Sequence, residues 1–347
     1  MKTSKEWCKS SGGGACLLLF GQIFQGCTMA VTEEQAKRAA EWREDHFRSN
    51  AFLIIDKMVN LNAERAERAT TVLVDEILHS IFFLGKIDDP QHPPESIVTD
   101  AEMLDGLKNI YPRPFDHYSS QLPKRSPFSC VLDMIVLMIG QQNEREIKEK
   151  VREIREQLSK GKTTYLISST ICVSRIPNSH RYYGVSMSTA GRDPGRIMVA
   201  ASCLSSWDKY VAGAVMTYYP NNVKKRYLDG TIKRCFDGTI RLPENVRCEA
   251  FNILQGTPLP PCRSCRNLFF KTDEKKEWAY GNCAEVESLS NLFKNVEEVK
   301  EQARPTLANN TEENRRRAEE SVKKELRRLL KEKKFIWDGE FFTPQHP

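Results

Sequence analysis

Three thiols and one carboxylate fall within 24 residues of this chain: Cys262, Cys265, Cys283 and Glu285. Cys262 and Cys265 have the Cys-x-x-Cys spacing with which the first turn of a helix can offer two sulfurs to one metal ion. Cys283 supplies a third ligand, and Glu285 lies two residues beyond it. Three thiolates around Zn²⁺ leave one tetrahedral position open, as in catalytic rather than closed structural sites.

The flanking residues indicate how these groups are held. Thr257-Pro258-Leu259-Pro260-Pro261 delivers the chain to Cys262 through a backbone stiffened by ring closure. After Glu285, Val286, Leu289 and Leu292-Phe293 recur at helical spacing. Cys283 is therefore expected at or just before a helix N-terminus, where free amides and the helix dipole favour thiolate.

Pro261-Cys262-Arg263-Ser264-Cys265 and Cys283-Ala284-Glu285 resemble the active-site signature of zinc-dependent cytidine and nucleic-acid deaminases. In that family the Glu-bearing element comes first; here the order is reversed, with 17 residues between Cys265 and Cys283. The resemblance is limited to residues 261–285. It implies that Cys262, Cys265 and Cys283 ligate zinc, and that Glu285 shuttles a proton as water adds to an amino-bearing ring carbon. It implies a hydrolase acting on a nucleobase, nucleotide or nucleic acid, with both motifs at helix N-termini beside a mixed sheet. Two other interpretations fit the same residues. A fourth ligand from Cys248, Cys235 or His180 would make a closed structural zinc site in a non-catalytic interaction protein, with Glu285 merely facing a helix dipole. Alternatively, the thiols are reduced, buried and metal-free.

Composition narrows the setting. The 347 residues are 40% apolar and 28% charged, with a formal charge of +6, enough for a real core and too mild to identify a nucleic-acid binder. Eleven cysteines, an odd number spread from Cys8 to Cys283, argue against a disulfide framework and for a reducing, cytoplasmic setting. Lys2, Lys5 and Lys9 precede the short apolar run Ala15–Phe20, so residues 1–30 form a leader or a weak signal-like segment, with secretion as the alternative. That run is too short to span a bilayer, and no transmembrane segment is expected. No Gly-x-x-x-x-Gly-Lys phosphate loop and no Gly-x-Ser-x-Gly nucleophile elbow occurs.

The expected architecture is α/β, a mixed sheet flanked by helices, with an N-terminal helical region and a basic C-terminal helix. Residues 31–110 are a helical region and linker, 111–300 an α/β domain with the cysteine cluster, and 301–347 a basic helical tail with a terminal hairpin. The capping box Thr32-Glu33-Glu34-Gln35 opens a helix through about Arg48, and helices continue from Ala51 to Ile81. Pro90 to Pro127 reads as loop, and Ser129 to Leu158 as one long helix. Strands are expected at Tyr165–Val173, Tyr182–Ser188 and Arg196–Ala201, and a helix at Trp207–Tyr218. The paired Asp-Gly steps at Asp229-Gly230 and Asp237-Gly238 suggest a small meander. From Thr311, Ala318, Val322, Leu326 and Leu329-Leu330 form a narrow apolar stripe. Six glutamates interleave the basic residues opposite, as in a helix laced by ion pairs more than one that reads nucleic acid.

Overall fold

The β-branched run Thr170–Arg175 (β1) and the stretch Tyr182–Val185 (β2) form the antiparallel hairpin their composition suggests. The first strand begins later than expected, after Leu166 turns the chain with φ 63°. On its other side β1 pairs with Arg247–Asn252 (β3), which pairs with Pro258–Leu259 (β4). The sheet order is β2-β1-β3-β4, antiparallel throughout, and helices flank it, so the architecture is α/β. This computed structural model describes residues 33–65, 67–158, 165–177, 179–218, 236–269 and 275–344. The chain divides into two compact units, residues 1–43 and 44–347; apart from the start of the first helix, everything below concerns the second.

The helices in chain order are α1 (Glu33–Arg65), α2 (Arg68–Ile87), α3 (Pro94–Ile97), α4 (Ala101–Ile110), α5 (Pro112–His117), α6 (Pro127–Ile139) and α7 (Glu144–Leu158). After the hairpin come α8 (Arg192–Ser205), α9 (Lys209–Met216), α10 (Arg263–Leu268), α11 (Ala284–Asn295), α12 (Glu297–Gln302) and α13 (Glu312–Glu332). Among the described residues no helix is long and apolar enough to cross a membrane.

Several expectations are corrected. The first helix does not stop near Arg48 but continues to Arg65. Pro90–Pro127 is not mainly loop, because its prolines open helices: Pro94 and Pro112 sit in first turns, where an amide is dispensable. Between them Asp100 caps α4 by accepting from the Met103 amide. The long helix from Ser129 is broken at Gly140, whose φ of 93° ends α6. Arg196–Ala201 is helix, not strand. It lies in α8, where Ile197 to Ala201 are all buried, so no periodicity distinguished the two. Thr32 and the first Asp-Gly step lie outside the described residues, and Phe236–Arg241 forms no strand.

The core runs through α2, α6 and the face of the sheet. Within it His79 is fully buried, its ring stacked on Phe342 at 3.9 Å. Phe342 reaches that position because the terminal segment docks beside Leu122, exchanging backbone bonds of 3.2 and 2.8 Å. Burial pulls the His79 imidazole down from 6.5 to about 3. The folded value lies below the unfolded one, so this contribution is full above pH 6.5 and is lost as pH falls towards 3. His79→Leu should therefore flatten the acid limb of stability by up to about 1.4 kcal/mol per pH unit in that window. Urea unfolding of both proteins from pH 4 to 7.5 checks this; parallel limbs would show that His79 titrates freely.

The terminal helix behaves as its sequence suggests. Thr311 caps it by accepting from the Asn314 amide, and Val322, Leu326, Leu329 and Leu330 are buried. Ion pairs run along it, including Arg317–Glu313 and Lys323–Glu320, and Arg196 of α8 pairs with Glu325.

Candidate metal centre

Two helix starts bring the thiols together. Cys262 is the N-cap of α10, with φ −71° and ψ 171°, and Cys265 lies in that helix's buried first turn. The loop returning from α10 is fastened to it by Arg263 N, which donates to Lys276 O at 2.9 Å, and by Ser264 Oγ, which donates to Trp278 O. Gly281, at φ 91°, then turns the chain against Val199, where a Cβ would stand 2.6 Å from a methyl carbon. Two residues later Cys283 is the N-cap of α11.

The sulfurs of Cys262, Cys265 and Cys283 lie within 4.8 Å of one another, and those of Cys262 and Cys283 are 3.4 Å apart. Among the described residues this is the one group of three or more potential ligands so placed, and it can hold a metal ion. Hydrogen bonds from Cys265 and Cys283 pull the Cys262 thiol down to about 2. The same bonds to Cys262 push Cys265 and Cys283 well above the usual thiol range.

Glu285, in the first turn of α11, is 5% exposed, and burial raises its carboxyl to about 7. It lines a cavity of about 520 Å³ together with Cys262 and Cys283. The lining also includes Asn252 of β3, Asn282, Lys276 and Trp278. Trp278 is 53% exposed, with the Lys276 ammonium 4.3 Å from its ring centre.

The other thiols and imidazole considered as ligands sit elsewhere. Cys248 lies with its sulfur 3.4 Å from that of Cys172, across β1 and β3. His180 is exposed and bonded to Gln142. Neither joins the trio. Cys235 lies outside the described residues.

The Glu285 helix is fixed to the sheet by backbone proximity and polar side chains. A Cβ on Gly184 of β2 would lie 2.3 Å from Ser288 N and 2.6 Å from Ala284 O. Glu287 accepts from Val185 N at 2.8 Å, Ser288 Oγ reaches Tyr182 O at 2.9 Å, and Asn291 donates to Tyr183 O at 2.9 Å. The trio and Glu285 were visible in the sequence because their spacings are local. The cavity walls at Asn252, Lys276 and Trp278 were not; their only signal was an aromatic beside a lysine in a loop following the Cys-x-x-Cys. No protein-family model, curated protein or solved structure matches the chain.

Proposed function

We propose that the protein is a zinc-dependent hydrolytic deaminase acting on a base-containing substrate, with zinc held by Cys262, Cys265 and Cys283. The observation that carries this is the placement of Glu285: a buried carboxyl beside three clustered thiols, on the wall of a cavity of about 520 Å³. An all-sulfur donor set favours zinc over magnesium or calcium. Sulfurs about 2.3 Å from a tetrahedral zinc stand about 3.8 Å apart, and the trio's sulfurs, all within 4.8 Å, need little rearrangement to reach that spacing. Zinc in this position would supply an acidified water as nucleophile near neutral pH.

The chain's own groups do the rest. Glu285, poised near neutrality, takes a proton from the water as its oxygen bonds to the amino-bearing ring carbon. It returns that proton to the leaving nitrogen, so water and an amine become a carbonyl and ammonia. Trp278 and Asn252 offer a flat apolar face and a polar group to a planar ring. Cys265 is fully buried and Cys262 nearly so, which shields the cluster from bulk solvent.

Purified under reducing conditions, the protein should carry close to one zinc per chain by elemental analysis, and a chelator should lower its melting temperature. A metal-free protein that melts unchanged in chelator would end this assignment. A fourth protein ligand would instead indicate a closed structural site, in which Glu285 has no chemical part.

A further inference from the structure

Cys172 of β1 and Cys248 of β3 are free thiols whose sulfurs lie 3.4 Å apart, in direct contact. The register of the sheet accounts for this. Cys172 faces Ala250 across the ladder and Cys248 faces Ser174, so the two cysteines share one face as diagonal neighbours. We propose that the pair is a reversible redox site, in which a peroxide oxidises Cys248 and Cys172 then closes a disulfide that joins β1 to β3. Its chemistry depends on neither the metal nor the deaminase assignment.

The two thiols are unequally placed, and this sets their order of reaction. Cys248 is half-buried, so a small oxidant can reach it. Arg247 and Glu249 on either side of it belong to the opposite face of the strand and pair with each other. Cys172 is fully buried, and burial pushes its thiol well above the usual range. It is shielded from the oxidant yet touches the sulfur on which the first product forms. A reacting cysteine beside a resolving one has this arrangement.

The steps balance. The Cys248 sulfur attacks one oxygen of hydrogen peroxide, the O–O bond breaks, and water leaves with the thiol proton. The product is a sulfenic acid on Cys248. The Cys172 sulfur then attacks the Cys248 sulfur, the S–O bond breaks, and a second water leaves with the Cys172 proton. Two thiols and one peroxide become a disulfide and two waters, the sulfurs together losing the two electrons that the peroxide gains.

The bond draws the sulfurs from 3.4 Å to about 2.05 Å. A diagonal position on the ladder is not the relaxed one for such a bridge, so the bond should be readily reduced. Its partners are 76 residues apart in sequence, so closing that loop constrains the unfolded chain. The lock also lies against the helix that carries Glu285. Cys172 packs with Ala250 and with Ala284 of the first turn of α11, and Ala250 lines the cavity beside Glu285.

The test uses the full-length protein with its metal. After one equivalent of hydrogen peroxide, alkylation and proteolysis, mass spectrometry should find Cys172 linked to Cys248. Cleavage after Glu249 separates Cys248 from Cys262, so bridges within the trio are read apart from this one. The oxidised protein should melt about 5 °C above the reduced form, the loop-closure gain being partly offset by strain. Millimolar glutathione should reverse both changes. In Cys172→Ala, dimedone should trap a sulfenic acid on Cys248; in Cys248→Ser, Cys172 should stay unlabelled. A wild type without the Cys172–Cys248 link overturns the site, whether or not either variant folds. Labelling of Cys172 in Cys248→Ser overturns the order of reaction, and a link that glutathione leaves intact overturns its reversibility.

Discussion

Glu285→Gln should keep its zinc and its melting temperature and lose about 10²–10⁴-fold in the rate of ammonia release, the span typical of a removed general acid–base group. The substitution is nearly isosteric in a buried position, and Glu285 is not among the three clustered sulfurs, so metal and fold have little reason to respond. The effect should fall on the maximal rate more than on substrate affinity, because the proton transfer belongs to the transition state. The assay follows ammonia from cytidine, adenosine, their nucleotides and single-stranded nucleic acid. Full activity in the glutamine variant would remove Glu285 from the mechanism. Loss of zinc in that variant would recast the residue as a ligand.

Gly184→Ala should be among the most damaging single-methyl additions in the protein. The new Cβ would meet backbone atoms of α11 at 2.3–2.9 Å, and backbone cannot swing aside as a flexible side chain can. Either β2 or α11 must retreat, at a cost of about 3 kcal/mol or more, the upper range for overpacking. Since Cys283 is the N-cap of that helix, zinc retention should fall along with stability. A built-in control is Gly106→Ala in α4, where nothing lies within 4 Å of the added carbon. It should stabilise the protein by about 0.4–1 kcal/mol through the unfolded chain alone. Urea unfolding of the pair decides the matter: equal effects would mean that β2 and α11 do not touch as described.

The contrast between the two ends of the site shows what a sequence can reveal of such a structure. Cys283 as a helix start was legible because Val286, Leu289 and Leu292-Phe293 set an amphipathic period immediately after it. Cys262 at a helix start was legible through the Cys-x-x-Cys spacing, which suits two sulfurs offered from a first helical turn. By contrast, β3 has no β-branched residue in Arg247–Asn252, and it is a strand because β1 offers it a ladder. That is a tertiary effect, which local propensity does not record. The burial of α8 on several sides erased the period that would have identified it. Cys248 illustrates the limit for ligands: its type suited a metal site, but its strand position sets it beside Cys172 instead.

The anchoring of α11 also bears on how the protein avoids its own kind. A four-stranded sheet has two edges, each a row of backbone groups open to pairing with another chain. At one edge β4 is only two residues long and contains Pro258, which has no amide to offer. At the other, β2 has three backbone groups occupied by Glu287, Ser288 and Asn291. The helix that carries Glu285 is therefore also the seal on the sheet. Loosening its Cys283 end would free those three backbone groups of β2 for pairing with another chain.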